Sequence, residues 1–138
     1  LEWVLFNVLI GNADAHAKNI SLLYGGFGER TRPRLAPFYD LVCTQVYAQL
    51  STRHAQKIGG EYRFDRLADR HWERFATSVE VHPKYLRTIG LELCDKVERH
   101  VPALADDIGR AHSGAETLGK IVRVVESRIG RIQREFGG

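Results

Sequence analysis

Asp14 and Asn19 stand five residues apart in a polar stretch, Asn12-Ala13-Asp14-Ala15-His16-Ala17-Lys18-Asn19, and that pairing has a chemistry. Phosphoryl transfer asks a protein for positioning, for metal ions on the phosphates and for a group that orients the attacking hydroxyl. An Asp accepts a hydrogen bond from that hydroxyl, and an Asn amide oxygen is a hard donor suited to magnesium. Alone, the spacing arises by chance about 0.3 times in a chain of this length at average residue frequencies. A third acid makes it more specific. Ile20 to Tyr24 and Leu35 to Tyr39 read as two strands of a hairpin with a long, glycine-containing tip. The register that sets Tyr24 opposite Leu35 also sets Asn19 opposite Asp40, and directly opposed residues hold their Cβ atoms roughly 4.5 to 5.5 Å apart. An amide oxygen beside a carboxylate, next to Asp14 on the preceding loop, makes a hard-cation site. His16 and Lys18 lie inside the same loop. The imidazole can hold the loop's shape, and the ammonium can neutralise charge on a transferred phosphoryl group or remain solvated.

The elements that must position these residues are mostly helical. Trp3 to Ile10 is too densely apolar for alternation and predicts a buried helix stopped by Gly11. The stretch from Asp40 to Gly60 has weak periodicity. Phe64, Leu67, Ala68, His71, Trp72, Phe75 and Val79 then share one helical face. Leu86, Ile89, Leu93, Val97 and Val101 share another after Pro83, with Pro102 expected to kink or interrupt the helix. A last helix opens with a Ser113–Glu116 capping box and carries the stripe Leu118, Ile121, Val122, Val125, Ile129, Ile132 and Phe136. Arg123, Arg128, Arg131 and Arg134, interspersed with Glu126 and Glu135, read as its solvated face rather than a nucleic-acid patch. The fold class is mainly α, with one small β-hairpin beside the polar loop.

Composition sets the outer bounds. The chain has 138 residues, 43% of them apolar and 27% charged, which suits one ordinary globular domain and not a disordered tail. Its net charge of +3 permits an acidic partner without demanding one. No apolar run has the roughly 18 to 20 residues of a membrane span. Cys43 and Cys94 are too few for a disulfide scaffold, which points to reduced thiols and a cytoplasmic setting. There is no methionine, and the chain opens directly on the apolar helical pattern of Leu1 to Phe6, as expected of a piece of a longer protein. Gly114 to Lys120 imitates a phosphate-binding loop, but Ile121 stands where a magnesium-binding hydroxyl is needed and no strand precedes it.

The string Leu9-Ile10-Gly11-Asn12-Ala13-Asp14-Ala15-His16-Ala17-Lys18-Asn19-Ile20-Ser21, followed by Leu35-Ala36-Pro37-Phe38-Tyr39-Asp40-Leu41, closely resembles HipA-like serine/threonine kinases, the toxins of bacterial toxin–antitoxin pairs. Lys57-Ile58-Gly59-Gly60 and His71-Trp72-Glu73-Arg74-Phe75-Ala76 resemble the family's C-terminal helical region. The resemblance covers most of the chain, as a single domain over 1–138. It implies the helical C-terminal lobe of a kinase-like fold, with the nucleotide-binding lobe missing. It implies Asp14 as catalytic aspartate, with His16 and Lys18 in the catalytic loop, and Asn19 and Asp40 as ligands of Mg²⁺ on ATP. Leu41-Val42 after Asp40, in place of Phe-Gly, makes ordinary protein kinases distant relatives. The family further implies a protein substrate such as an aminoacyl-tRNA synthetase. It also implies an antitoxin partner with a DNA-binding domain, so that nucleic acid is met only indirectly, and no membrane. Without its other lobe the chain is expected not to transfer phosphate. Two other readings stay open: a non-catalytic helical interaction domain, and a metal-dependent phosphohydrolase using Asp14, His16 and Asp40.

Overall fold

The computed structural model describes residues 1–25, 32–111 and 114–137. Four helices form the body: α1 (Glu2–Leu9), α2 (Asp69–Ser78), α3 (Pro83–Ala111) and α4 (Ala115–Phe136). Two small antiparallel hairpins lie between α1 and α2: β1 (Leu22–Leu23) with β2 (Arg34–Leu35), and β3 (Arg53–Ile58) with β4 (Glu61–Arg63). The mainly helical class with a hairpin beside the polar loop agrees with the sequence reading. The second hairpin goes beyond it.

The core forms where α1, α2, α3 and α4 meet. Leu5 and Leu9 of α1, Trp72 and Phe75 of α2, Leu86 of α3, and Ile129, Ile132 and Phe136 of α4 are buried in one cluster. Trp72 meets the Phe136 ring edge-on at 5.4 Å, an arrangement that sets the positive ring edge against the negative face. Gly90 of α3 lies against that same phenyl ring, so α3 and α4 approach closely only because the position has no side chain. Arg87 ties α3 to α2 through Asp69 (2.5 Å) and Glu73 (3.2 Å).

Several boundaries differ from the expectation. α2 begins at Asp69, so Phe64 and Leu67 reach the core from a 3₁₀ turn (Phe64–Arg66) and the segment after it, while Val79 is exposed. α3 runs through Pro102 without interruption. Pro102 is exposed there, as is Glu98, whose carbonyl loses its amide partner, which holds the cost down. α4 takes Gly114 as its N-cap; Ser113 lies outside the described residues, and Glu116 pairs instead with Lys120 at 2.7 Å. Most of the hairpin tip, 26–31, also lies outside them.

The first hairpin is shorter and shifted. Leu22 pairs with Leu35 and Leu23 with Arg34, two residues away from the expected register. One further ladder bond, from Ala36 N–H to Ser21 C=O (2.9 Å), precedes Pro37, which has no N–H to donate and ends the strand.

Candidate active site

α1 ends in a Schellman motif that launches the polar loop. Gly11 takes a left-handed backbone (φ +68°), and Asn12 N–H closes onto Asn7 C=O at 2.9 Å. Two buried amide side chains then organise the loop. Asn7 Nδ2 donates to Trp3 C=O (2.7 Å), and its Oδ1 accepts from Asn12 Nδ2 (2.8 Å). Asn12 Nδ2 also donates to the backbone carbonyl of Asp40 (3.0 Å), while Asn12 Oδ1 accepts the N–H of Asp14 (3.1 Å). One buried side chain therefore fixes the backbone of both acids, from segments 26 residues apart in sequence.

Thr44, in a 3₁₀ turn (Thr44–Val46), braces the loop from the other side. Its Oγ1 accepts from Ala13 N–H (2.8 Å) and donates to Gly11 C=O (3.1 Å). The carbonyl of Ala13 accepts from Ala55 N–H of β3 at 2.7 Å, so the second hairpin is bonded directly to the residue before Asp14. Tyr39 clamps the first hairpin: its hydroxyl donates to Lys18 C=O (3.0 Å) and meets Ser21 Oγ at 2.8 Å.

Asn19 and Asp40 are side by side. Asn19 is buried in the 3₁₀ turn Ala17–Asn19, and its Nδ2 donates to Asp40 Oδ2 (2.9 Å) and, at 3.5 Å, to the backbone carbonyl of Asp14. The sequence reading expects this juxtaposition from a longer ladder in a different register. The chain achieves it by leaving the ladder at Pro37 and turning at Asp40, whose left-handed backbone (φ +57°) swings the carboxylate back towards Asn19. Asp is among the residues that tolerate that conformation. Among the described residues the amide oxygen of Asn19 and Oδ1 of Asp40 receive no hydrogen bond. Both are hard oxygen donors available to a divalent cation, which fits the donor set expected for Mg²⁺.

Asp14 projects into solvent from the loop, and His16 Nε2 lies 2.8 Å from its Oδ1. The Lys18 side chain is exposed, with no ion-pair partner among the described residues. Beside Asp14 a depression of about 450 Å³ is lined by His16, Leu50, Ser51, Arg53 and Ala55. On the Asn19 side a second recess of about 520 Å³ is more apolar, walled by Trp3, Val4, Ile20, Phe38 and Ile89. No group of three or more His, Cys, Asp or Glu converges among the described residues, so Asp14, His16 and Asp40 do not assemble the cluster that the phosphohydrolase reading needs.

The supports escape sequence reasoning. Nothing in the residue pattern singles out Asn12, Thr44 or Tyr39, and the one signal for Asn7 is that it interrupts an otherwise apolar helix. Two of the four α4 arginines are also not a solvated face. Arg128 donates to Gln45 Oε1 (2.5 Å) and lies 4.6 Å over the Phe64 ring, and Arg131 donates to Leu67 C=O (2.5 Å).

The arrangement of four helices with two small hairpins has a known counterpart. The whole fold superimposes on HipA of Shewanella oneidensis, solved with HipB and its operator DNA, with a TM-score of 0.76 at 23% identity over 99% of this chain and 30% of that one. The model of the HipA-like C-terminal domain matches residues 1–101, and the chain belongs to that family. The Y4mE protein of Sinorhizobium fredii is 35% identical over 107 residues, which is 78% of this chain. The serine/threonine-protein kinase toxin HipA of S. oneidensis is 40% identical over 62 residues, or 45% of this chain. The matched segments span 24% of the first of these proteins and 13% of the second. Among the described residues no helix is long and apolar enough to cross a membrane.

Proposed function

We propose that this chain is the part of a HipA-like serine/threonine kinase that carries the catalytic loop and the metal-binding pair. The hydrogen bond between Asn19 and Asp40, within reach of the loop that presents Asp14, is the observation that supports it most strongly. Asp14 accepts a hydrogen bond from the hydroxyl of a protein substrate lodged in the adjoining depression, and so orients it for attack. His16 acts as a positioning residue that holds the Asp14 carboxylate in one rotamer. Lys18, mobile and exposed, reaches the transferred phosphoryl group as a point charge. Asn19 Oδ1 and Asp40 Oδ1 would hold Mg²⁺, which when bound supplies charge neutralisation on the ATP phosphates. These two protein oxygens would leave the rest of the ion's coordination to water and phosphate oxygens.

ATP enters the reading with a nucleotide-binding lobe, since the chain covers at most about a third of its relatives. An antitoxin bearing a DNA-binding domain is the partner we infer, because HipA of S. oneidensis is solved with HipB and operator DNA. An aminoacyl-tRNA synthetase is a substrate of suitable kind, and a cytoplasmic setting suits free, buried Cys43 and Cys94. The test is transfer of labelled phosphate from ATP to protein. The chain by itself gives no turnover above background; joined to its nucleotide-binding lobe it is active. Turnover by the chain alone that Asp14→Asn abolishes would contradict the two-lobe requirement.

A further inference from the structure

A groove of about 550 Å³ runs along α4 and collects cations that all lie beyond the residues matching the family model, Lys120, Arg123, Arg128, Arg131 and Arg134, with Asp65, inside the matched segment, as an acid. Neither Lys120 nor Asp65 sets its charge. Glu116 matches Lys120 at 2.7 Å, and Asp65 is held by Arg63 through two hydrogen bonds of 3.0 and 2.7 Å. The four arginines have no carboxylate partner among the described residues, so their summed charge exceeds the +3 of the entire chain. Like charges are gathered here at a cost that an anion would relieve.

Two of the arginines are anchored by hydrogen bonds and two make none among the described residues. Arg128 and Arg131 are anchored to Gln45 and Leu67, and burial draws the Arg128 guanidinium down to a pKa of about 10. Arg123 and Arg134 are exposed, and their guanidinium groups lie back over Gly119 and Gly130 of the preceding turn of α4, where a Cβ would stand 3.6 and 3.5 Å from them. Eleven positions of helix between Arg123 and Arg134 correspond to roughly 16 Å, and a volume of this order suits a nucleotide-sized ligand. Guanidinium groups pair bidentately with phosphate oxygens, and linked phosphates offer more charge in that length than a carboxylate peptide. We propose that this groove is a binding site for a small, multiply charged phosphate compound, with Arg128 and Arg131 as a rigid floor and Arg123 and Arg134 closing on the phosphates.

Calorimetric titration of the chain with sodium tripolyphosphate tests this independently of kinase activity. Saturable binding is expected, weakened at least about tenfold in the Arg123→Ala, Arg134→Ala double variant and unchanged in Lys57→Ala on the second hairpin. Should the double variant lose its helical circular dichroism, Arg123→Gln and Arg134→Gln taken singly keep the side-chain stems, and each weakens binding several-fold. Failure of tripolyphosphate to bind at millimolar concentration, or equal binding by the variants, overturns the proposal. So does a short DNA duplex that binds through the same arginines and that tripolyphosphate fails to displace.

Discussion

At the residue scale, the site depends on a buried side chain that does no chemistry. Asn12 makes three hydrogen bonds that hold Asp14 and Asp40 in a common frame. Replacing it with Leu leaves the Asn7 Oδ1 acceptor and two backbone groups without those partners. Each buried polar group so orphaned costs about 1–3 kcal/mol. We expect Asn12→Leu to lower unfolding free energy by about 3 kcal/mol in urea titration and, in the kinase with both lobes, to depress phosphotransfer under conditions where the variant remains folded. His16→Ala should act differently, lowering kcat about tenfold with KM for the protein substrate little changed, because orientation of Asp14 is lost and its carboxylate is not. The candidate residues themselves are legible, because Asp14, Asn19 and Asp40 are of types suited to phosphoryl transfer and stand at telling distances. Asn7, Asn12 and Thr44 are not. Their partners lie up to 33 residues away, and a polar residue in a polar loop gives no sign of what it faces.

At the element scale, helices declare themselves through periodicity and the irregular supports do not. The stripes of α3 and α4 are visible in the residues, as is the stop at Gly11. The ladder of the first hairpin is not, because Pro37 and the left-handed Asp40 cut it short, yet both local features serve the same contact. The second hairpin hides in a weakly periodic stretch, although Gly59-Gly60 marks its turn. Both glycines have positive φ, as a two-residue turn between twisted strands requires. Gly59 is the stricter of the two: a Cβ there would stand 1.8 Å from the His71 carbonyl oxygen. Gly59→Ala should therefore destabilise the fold by more than about 2 kcal/mol, seen as a drop in Tm, whereas Gly60→Ala should cost only its backbone strain of about 1 kcal/mol. A reverse effect is expected in α3. Pro102→Ala restores an amide donor to an exposed helical position and should raise Tm, by the equivalent of about 1–3 kcal/mol.

At the scale of the whole molecule, stability is linked to pH through a histidine in the interior. His54 sits in β3 against the Phe64 ring at 5.1 Å, and its Nδ1 accepts the Gln56 N–H, which places the proton on Nε2. Burial holds the imidazole pKa below its usual 6.5, since the cation would have to be desolvated. The unfolded chain thus takes up a proton more readily than the folded one. The stability contributed is complete above the unfolded pKa and is lost as pH falls towards the lower folded value. Urea midpoints should be level at neutral pH and decline below 6.5, and His54→Asn, which keeps an acceptor for Gln56, should flatten that decline. An unchanged slope in the variant would assign the effect to other groups.

The central claim is that Asn19 and Asp40 hold the metal while Asp14 orients the hydroxyl, and the magnesium activation curve of phosphotransfer separates the two roles. In the kinase with both lobes, Asp40→Asn should raise the magnesium concentration for half-activation by about 10–100-fold. Asp14→Asn should reduce turnover about a thousandfold and leave that concentration in place. An unmoved curve in Asp40→Asn, or ordinary turnover in Asp14→Asn, would contradict the assignment.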